Sequence, residues 1–456
     1  MTKHRLFNEF SPVSAVEWKR KIQSDLKGAD YEQTLIWESP EGIHVQPFYH
    51  ADNVPESIHL TKQESSWSVG QKVNEGDAKT ANDKALLAVG RGAESLSFVV
   101  PSEDTNLEIL LKDIDIKRTP LYFKLGFLSS EYIRNLLALA GDAPEKVYLN
   151  LDPIGHLVRS GNWFRSEKAD MQNVRDVLSN GTPNVVGIDL AHYQNAGADR
   201  VQQLAYALAH ANEYLNAFSE GACAPATFTF KVSVDTNYFF EIAKIRALRL
   251  LWASLMTAYE NPIACHIVAY PTHRNKTLYD YNINMLRTTT ECMAAVLGGA
   301  DCVMNLAYDV IYHEPNEFGE RIALNQLLLL KNESYFDKVA NPADGAYYIE
   351  TLTRELAEKA LALFKSVEKE GGFLKQLEIG TVQDEIAKSA ERQQQRFEAG
   401  EEVLVGTNRY QNENDKMKDT IERHPFTKTN TPNKAIRPIV ARRLAEHMEQ
   451  KRLQDE

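Results

Sequence analysis

Eight short apolar runs recur along the central part of the chain, separated by longer segments with helical periodicity. The runs occupy residues 67–73, 95–100, 121–125, 147–151, 185–189, 227–232, 263–269 and 302–306. Between them, apolar residues repeat every three or four positions, as in Val201, Leu204, Leu208 and Leu215. Strands this apolar are typical of a parallel sheet that is buried on both faces. The pattern therefore predicts an α/β fold, a (β/α)8 TIM barrel spanning residues 61–340.

Residues 1–60 lack this alternation and predict an extended N-terminal arm. The segment is broken by several prolines and has one convincing helical stretch, at residues 14–26. Its aromatic residues include Phe7, Phe10, Trp18, Trp37, Phe48 and Tyr49. So few periodic segments cannot bury these rings, and large apolar groups left on a surface usually mark an interface. We expect the arm to lie across a protein partner.

Two further regions follow the barrel. Residues 341–411 carry helical periodicity and predict a helical segment packed on the barrel, with a break at Gly371 and Gly372. Residues 412–456 begin with a polar stretch, which predicts a linker followed by a short charged helix over residues 439–453.

Composition and charge narrow the class of protein. Acidic residues outnumber basic ones by 63 to 51, which gives a net charge of −12 and argues against a surface for nucleic acid or anionic membrane. No apolar run is long enough to span a membrane and no signal peptide is recognisable at the start, so we expect a cytoplasmic protein. The four cysteines include no C-x-x-C pair, so neither a disulfide framework nor a thiolate zinc site is predicted.

In a barrel of this kind, chemistry sits on the loops that follow the strands. The candidate polar residues there are Asn150, Asp152, His156, Asp189, His192, Gln194, Asp235, His273 and Asn305. A metal-dependent hydrolase could use such side chains, but the chain has no H-x-H and no H-E-x-x-H spacing. We therefore expect no metal site. Glu291, on the helix after the seventh strand, reads as a solvated or capping charge.

Residues 188–198 read I-D-L-A-H-Y-Q-N-A-G-A, which resembles the I-S-G-Y-H-M-Q-E-A-G-A loop of active methylmalonyl-CoA mutases. The sequence similarity to the family extends over residues 239–252, 341–350, 406–410 and 39–43. The order and spread of these matches identify the chain as a member of the methylmalonyl-CoA mutase family, and its N-terminal text is most similar to the small, or beta, subunit.

The resemblance implies acyl-CoA bound along the barrel, a separate cobalamin domain capping it, and hydrogen abstraction by an adenosyl radical. His192 and Gln194 keep the family residues, whereas Ala191 replaces the site tyrosine. In the family's T-I-R-Q-Y strand, Gln71 is kept but Lys72 replaces the tyrosine.

The carboxylate clamp of the family also differs. Gly70 stands in place of the arginine of T-I-R-Q-Y, and Pro271 in place of the arginine of R-T-H-S-Q, although His273 remains nearby. These changes remove bidentate groups that neighbouring backbone does not replace. The D-x-H-x-x-G motif, whose histidine binds cobalt in the family, is also absent, and the chain ends where the family's cobalamin domain would begin.

Two interpretations remain open. In the first, the barrel is a non-catalytic partner of a catalytic large (alpha) subunit, which binds the adenosylcobalamin; the site around His192 and Gln194 is then vestigial, and residual substrate contacts fall to Gln71, His192 and His273. In the second, the chain is an active acyl-CoA mutase of altered acyl specificity that uses a cobalamin domain on another chain. Several independent losses favour the first.

Overall fold

The computed structural model describes residues 9–53, 65–218, 225–259, 262–427 and 434–456. Within them a two-stranded antiparallel pair precedes eight parallel strands. The pair is β1 (Trp37–Glu38) and β2 (His44–Val45). The parallel strands are β3 (Ser68–Val73), β4 (Ser95–Val100), β5 (Leu121–Leu125), β6 (Val147–Tyr148), β7 (Val186–Asp189), β8 (Thr227–Val234), β9 (Ala264–Pro271) and β10 (Cys302–Met304).

The eight parallel strands form a barrel. Their order is β6-β5-β4-β3-β10-β9-β8-β7, and a bridge between Leu151 and Val186 joins the two ends. Each predicted run overlaps one strand, so the (β/α)8 prediction is confirmed. Strand β6 stops earlier than its apolar run because Asn150 adopts a positive φ of 50°.

Helices surround the strands, and further helices precede and follow the barrel in the sequence. Before and between the first strands lie α1 (Ala15–Asp25), α2 (Tyr31–Leu35), α3 (Ala78–Gly90), α4 (Leu107–Leu110), α5 (Ser130–Ala140), α6 (Pro153–Ser160) and α7 (Glu167–Leu178). The later ones are α8 (Ala191–Gln194), α9 (Arg200–Phe218), α10 (Tyr238–Tyr259), α11 (Ile283–Leu297), α12 (Glu317–Asn332), α13 (Tyr347–Lys369), α14 (Phe373–Ile379), α15 (Thr381–Glu398) and α16 (Glu446–Asp455). No helix in the described ranges is long and apolar enough to cross a membrane.

Side chains alternate along the barrel strands between the helix layer and the barrel axis. In β4, Leu96 and Phe98 join the main hydrophobic core, while Ser97 and Val99 line the inside. In β5, Phe123 packs outward, whereas Tyr122 and Lys124 face the inside. The axis of the barrel is therefore lined by a mixture of small, aromatic and charged side chains.

The helical region after the barrel packs through buried charges as well as apolar contacts. On α10, the buried Arg246 guanidinium donates to Glu350 at 2.8 Å and also pairs with Asp344. Helix α13 ends before Gly371 and Gly372, whose φ angles of 106° and 89° favour glycine, and α14 follows.

The C-terminal region differs from the sequence-based expectation of a linker and a helix over residues 439–453. Helix α16 begins at Glu446, seven residues later. The reason is that the preceding backbone hydrogen-bonds to the barrel: Ile439 N donates to Val158 O and Leu444 N to Arg274 O, both at 2.8 Å. The end of the polar stretch is anchored too, since Glu422 N donates to Tyr312 O at 2.9 Å.

Candidate functional site

A cavity of about 240 Å³ lies inside the barrel at the carboxyl ends of its strands. Its lining includes the sequence-predicted residues Lys72, Asp189, Ala191, His192, His273 and Asn305. It also includes residues that the sequence analysis did not select, namely Lys124, Arg159, Asn195, Lys231, Tyr122 and Tyr270. The structure therefore brings together side chains from separate strands at the position where barrel enzymes hold their sites.

Three lysines dominate the charge of this inner cavity. Lys72, Lys124 and Lys231 project inward from β3, β5 and β8. Within the described part of the chain, none of the three ammonium groups has an ion-pair or hydrogen-bond partner. Burial lowers the pKa of Lys231 to about 8, and burial together with the nearby Lys124 charge lowers that of Lys72.

Asp189 is the acidic residue among the described groups that line the cavity. Its Oδ1 accepts hydrogen bonds from the Tyr270 hydroxyl at 2.5 Å and from Ala191 N at 3.0 Å. Burial alone would raise the pKa of this carboxyl, but His192, Lys124 and Lys231 outweigh burial and lower the pKa to about 2. One fixed carboxylate therefore faces several cations.

The two cavity histidines are held in the neutral form. Burial lowers the pKa of His192 to about 4. For His273, burial and the positive charges of Lys72 and Lys276 lower the pKa to about 3. Neutral imidazoles at pH 7 can donate or accept one hydrogen bond each, but they add no positive charge to the cavity.

Gln71 and Gln194 match the family motifs but do not line the inner cavity. Gln194 Oε1 accepts from the Ser233 hydroxyl and from Lys244 Nζ at 3.4 Å, within a buried network that ties the loop to α10. The Gln71 amide donates to Lys72 O at 3.2 Å and faces a neighbouring mouth cavity.

Several other predicted polar residues mainly hold the framework. Asp152 caps α6, and its Oδ1 accepts from Gly155 N, the Tyr214 hydroxyl and His210 Nε2 at 2.8 to 2.9 Å. His156 stacks on Phe164 with 3.7 Å between ring centres.

Amide groups fix three more strand ends. Asn150 Nδ2 donates to Phe123 O, Asp235 accepts from Asn275, and Asn305 donates to Gln326. Among the described residues, no group of three or more His, Cys, Asp or Glu side chains is placed to hold a metal ion.

Glu291 does not fit its interpretation as a solvated charge, because its side chain is fully enclosed. Its carboxylate lies 2.8 Å from Lys276 Nζ and accepts from Asn275 Nδ2 at 2.7 Å. Helical position alone could not reveal this, since the partner cation lies in the loop after β9.

Aromatic side chains fill the barrel axis beneath the inner cavity. The rings of Tyr122 and Tyr148 stack at 4.6 Å, and Tyr148 stacks on His266 at 4.5 Å. The Tyr122 hydroxyl lies 2.9 Å from His266 Nε2. Beside them, a Cβ added at Gly70 would lie 2.6 Å from Met304 Cγ, so a larger residue there requires repacking.

On the side of the cavity opposite the aromatic rings, residues 436–444 cross the carboxyl face of the barrel. We call this stretch the strap. Ile436 N donates to Gly161 O and Arg442 N to Asn195 O, in addition to the bonds of Ile439 and Leu444. Ile439 and Ala441 line the inner cavity directly. The cavity is therefore bounded by aromatic rings below and by the strap above, and it adjoins the mouth cavity at the side.

Lys124 and Lys231 are the charged strand residues that the sequence analysis missed. Each interrupts an otherwise apolar run, in L-Y-F-K-L and T-F-T-F-K-V. The available signal was a lysine within a barrel strand at one of the alternate positions that face the barrel axis.

Comparison with known proteins agrees with this architecture. The family model described as "Methylmalonyl-CoA mutase" matches residues 102–454. The methylmalonyl-CoA mutase small subunit of Porphyromonas gingivalis is 34% identical, and the alignment covers 100% of this chain and 79% of that protein. The small subunit from Streptomyces virginiae is 30% identical over 88% of this chain and 71% of its own length. The large subunit from the same organism is 27% identical over 90% of this chain and 64% of its own length. The chain belongs to the methylmalonyl-CoA mutase family.

Proposed function

We propose that this chain is the small, non-catalytic subunit of an adenosylcobalamin-dependent methylmalonyl-CoA mutase, which interconverts methylmalonyl-CoA and succinyl-CoA in the cytoplasm. In this proposal it supports a catalytic large subunit in a heterodimer, and that subunit binds the cofactor. The two relatives named as small subunits, and the named large subunit in one of the same organisms, support this assignment.

The observation that carries the proposal is the closure of the barrel at both ends. An acyl-CoA lying along the axis needs a path for its pantetheine arm, and Tyr122, Tyr148 and His266 occupy that path. A cobalamin cap needs the carboxyl face, which the strap covers. The residues present therefore do not fit the cofactor on this face, which supports placing it on the partner.

We expect no isomerisation of methylmalonyl-CoA when the purified chain is supplied with adenosylcobalamin. We expect the same result when a separate cobalamin-binding domain is added, and turnover only when a whole large subunit is present. The occupied barrel axis and the missing site tyrosine affect the same catalytic unit. We therefore expect a complete loss of catalysis and not a partial one. Turnover with the separate domain, or stoichiometric cobalamin retained by this chain through gel filtration, would contradict the proposal in favour of an active barrel.

The arm supplies a surface for the partner. Phe10 and Trp18 are 68% and 47% exposed, and the Trp18 ring stacks on Phe48 at 4.7 Å. Phe7 lies outside the described residues. Farther along, Trp37 packs edge-on against Phe240 at 5.7 Å, so the arm is attached to the barrel from about residue 37 onward.

The buried Glu41 carboxylate strengthens this attachment, since it lies 2.8 Å from Arg200 Nη1 on α9. Residues 1–36 can therefore be removed without breaking the ion pair. The deletion also removes Tyr31, which is buried. Point substitutions at the exposed Phe10 and Trp18 therefore separate the proposed docking role from stability more cleanly.

Deleting residues 1–36, or making Phe10→Ala/Trp18→Ala, is expected to weaken binding to the large subunit at least 30-fold. The reason is that large rings at an interface contribute about 2 kcal/mol or more each when they are hot spots. Binding is measured by titration calorimetry, and the melting temperature of the isolated Phe10→Ala/Trp18→Ala chain should change little. Leu286→Ala, at a 66% exposed position on α11, is the matched control. Unchanged affinity of both arm variants would remove the arm as the docking element.

A further inference from the structure

The inner cavity carries an excess of positive charge that the protein itself does not neutralise. Lys72, Lys124, Lys231 and Arg159 line it together with the single carboxylate of Asp189. Around the barrel, β3, β5 and β8 are two or three strands apart, so the lysines approach from three sides. Lys124 and Lys231 are half-buried, whereas Lys72 and Arg159 are exposed. Like charges held this close together repel one another, which is unfavourable unless a counter-ion compensates.

The remaining lining is apolar and suits a short hydrocarbon chain. Val99, Val268, Met304, Leu306 and Ile439 lie between the charged groups. A volume of about 240 Å³ holds about eight water-sized groups at ~30 Å³ each. That is the size of a molecule with eight or nine non-hydrogen atoms, not of a coenzyme.

We propose that the inner cavity binds a free aliphatic dicarboxylate of four or five carbons, with its carboxylates between the three lysines and its methylenes against the apolar lining. Four cations and one aspartate leave three positive charges, which a dianion largely offsets. A phosphate is compact and lacks methylenes, so it matches the spacing and the apolar lining less well. A CoA thioester is disfavoured because Tyr122 and Tyr148 close the axis.

The ligand has a route from the surface. A mouth cavity of about 400 Å³ shares Lys72, His273, Asn305 and Ala441 with the inner cavity. Its lining carries five cationic side chains (Lys72, Arg274, Arg423, Arg442 and Arg443) and four acidic ones (Asp309, Glu314, Glu320 and Glu446), so the mouth has only a small excess of positive charge. This proposal concerns ligand binding by this chain alone and goes beyond its role as a subunit. It can therefore be tested independently of mutase activity.

Titration calorimetry and thermal unfolding of the full chain test the proposal, with succinate, glutarate, acetate, inorganic phosphate and succinyl-CoA as probes. Succinate or glutarate is expected to bind at least tenfold more tightly than acetate, phosphate or succinyl-CoA, and to raise the melting temperature. Lys231→Met should weaken that binding by 10- to 100-fold, the range for losing a charge-assisted contact.

A second readout separates a ligand site from a structural lysine. Without ligand, Lys231→Met should melt at a higher temperature than the original chain, because it removes a half-buried charge that has no partner among the described residues. Lys124→Met, at the other half-buried lysine, should behave in the same way and serves if the first variant does not fold. Lys168→Met, on the exposed face of α7, is the matched control and should change neither readout.

Several results would overturn the proposal. They are the absence of dicarboxylate binding at 10 mM, a preference for phosphate or succinyl-CoA, binding that is unchanged in Lys231→Met and Lys124→Met, and a lower melting temperature of both ligand-free variants.

Discussion

Glu291→Leu is expected to lower the free energy of unfolding by about 3 to 5 kcal/mol, the range for breaking a buried ion pair from one side. The substitution leaves the Lys276 ammonium enclosed without the carboxylate that lies 2.8 Å away. It also removes an acceptor from Asn275, which anchors the loop after β9 to Asp235. Urea unfolding at pH 7 measures the change.

Two comparisons make this prediction specific. The double variant Lys276→Met/Glu291→Leu should recover most of the loss, because it removes both charges together. Glu385→Leu breaks an exposed pair with Lys388 and should change stability by less than 1 kcal/mol. A loss in Glu291→Leu as small as that of Glu385→Leu would mean that the buried pair does not contribute as the geometry indicates.

Acidification from pH 6.5 to pH 4 is expected to destabilise the original chain more than the His192→Gln/His273→Gln variant, by roughly 4 kcal/mol. Folding lowers the pKa of these imidazoles from 6.5 to about 4 and about 3. Below pH 6.5 the unfolded chain therefore binds protons that the folded chain does not, and stability falls as the pH falls. Each ring contributes about 1.4 kcal/mol per pH unit, and solvent screening of these half-buried rings reduces the sum to roughly this value.

Burial is the first reason why the pKa values of the two rings are low. For His192, Lys124 and Arg159 act in the same direction as burial, whereas Asp189 and Asp152 raise the pKa. For His273, the nearby cations Lys72, Lys276, Arg423 and Arg443 all lower the pKa further. Urea unfolding at intervals between pH 4 and pH 7 measures the difference, with the exposed His447→Gln as the control. Parallel pH profiles for the original chain and the double variant would show that the rings are not held neutral.

The strands and their order were predictable because the relevant signal is local. Apolar runs buried on both faces, alternating with helical periodicity, appear in any window of the sequence and correspond to β3 through β10. The motif around His192 was equally visible, since it is continuous along the chain. Gln194 of the same motif shows where motif matching fails. It matches the family residue, but its side chain hydrogen-bonds within a buried network and does not line the cavity.

The clustering of the lysines and the burial of Glu291 depend on contacts between residues that are distant in the sequence. Lys124 and Lys231 become a charged cluster only when the barrel curvature brings β5 and β8 to one axis, so each read as an isolated lysine in its strand. Glu291 reads as exposed until Lys276 folds against it.

The strap shows the same division most clearly. Its sequence mixes apolar residues with arginines and is predicted to be helical from residue 439 onward, but backbone hydrogen bonds from Ile439 to Val158 and from Leu444 to Arg274 hold it across the barrel. Local propensity amounts to a few tenths of a kcal/mol per residue, which such tertiary contacts override. The sequence alone determined the barrel and its family, whereas the tertiary structure decided which end is covered, because covering requires residues more than 160 positions apart to meet.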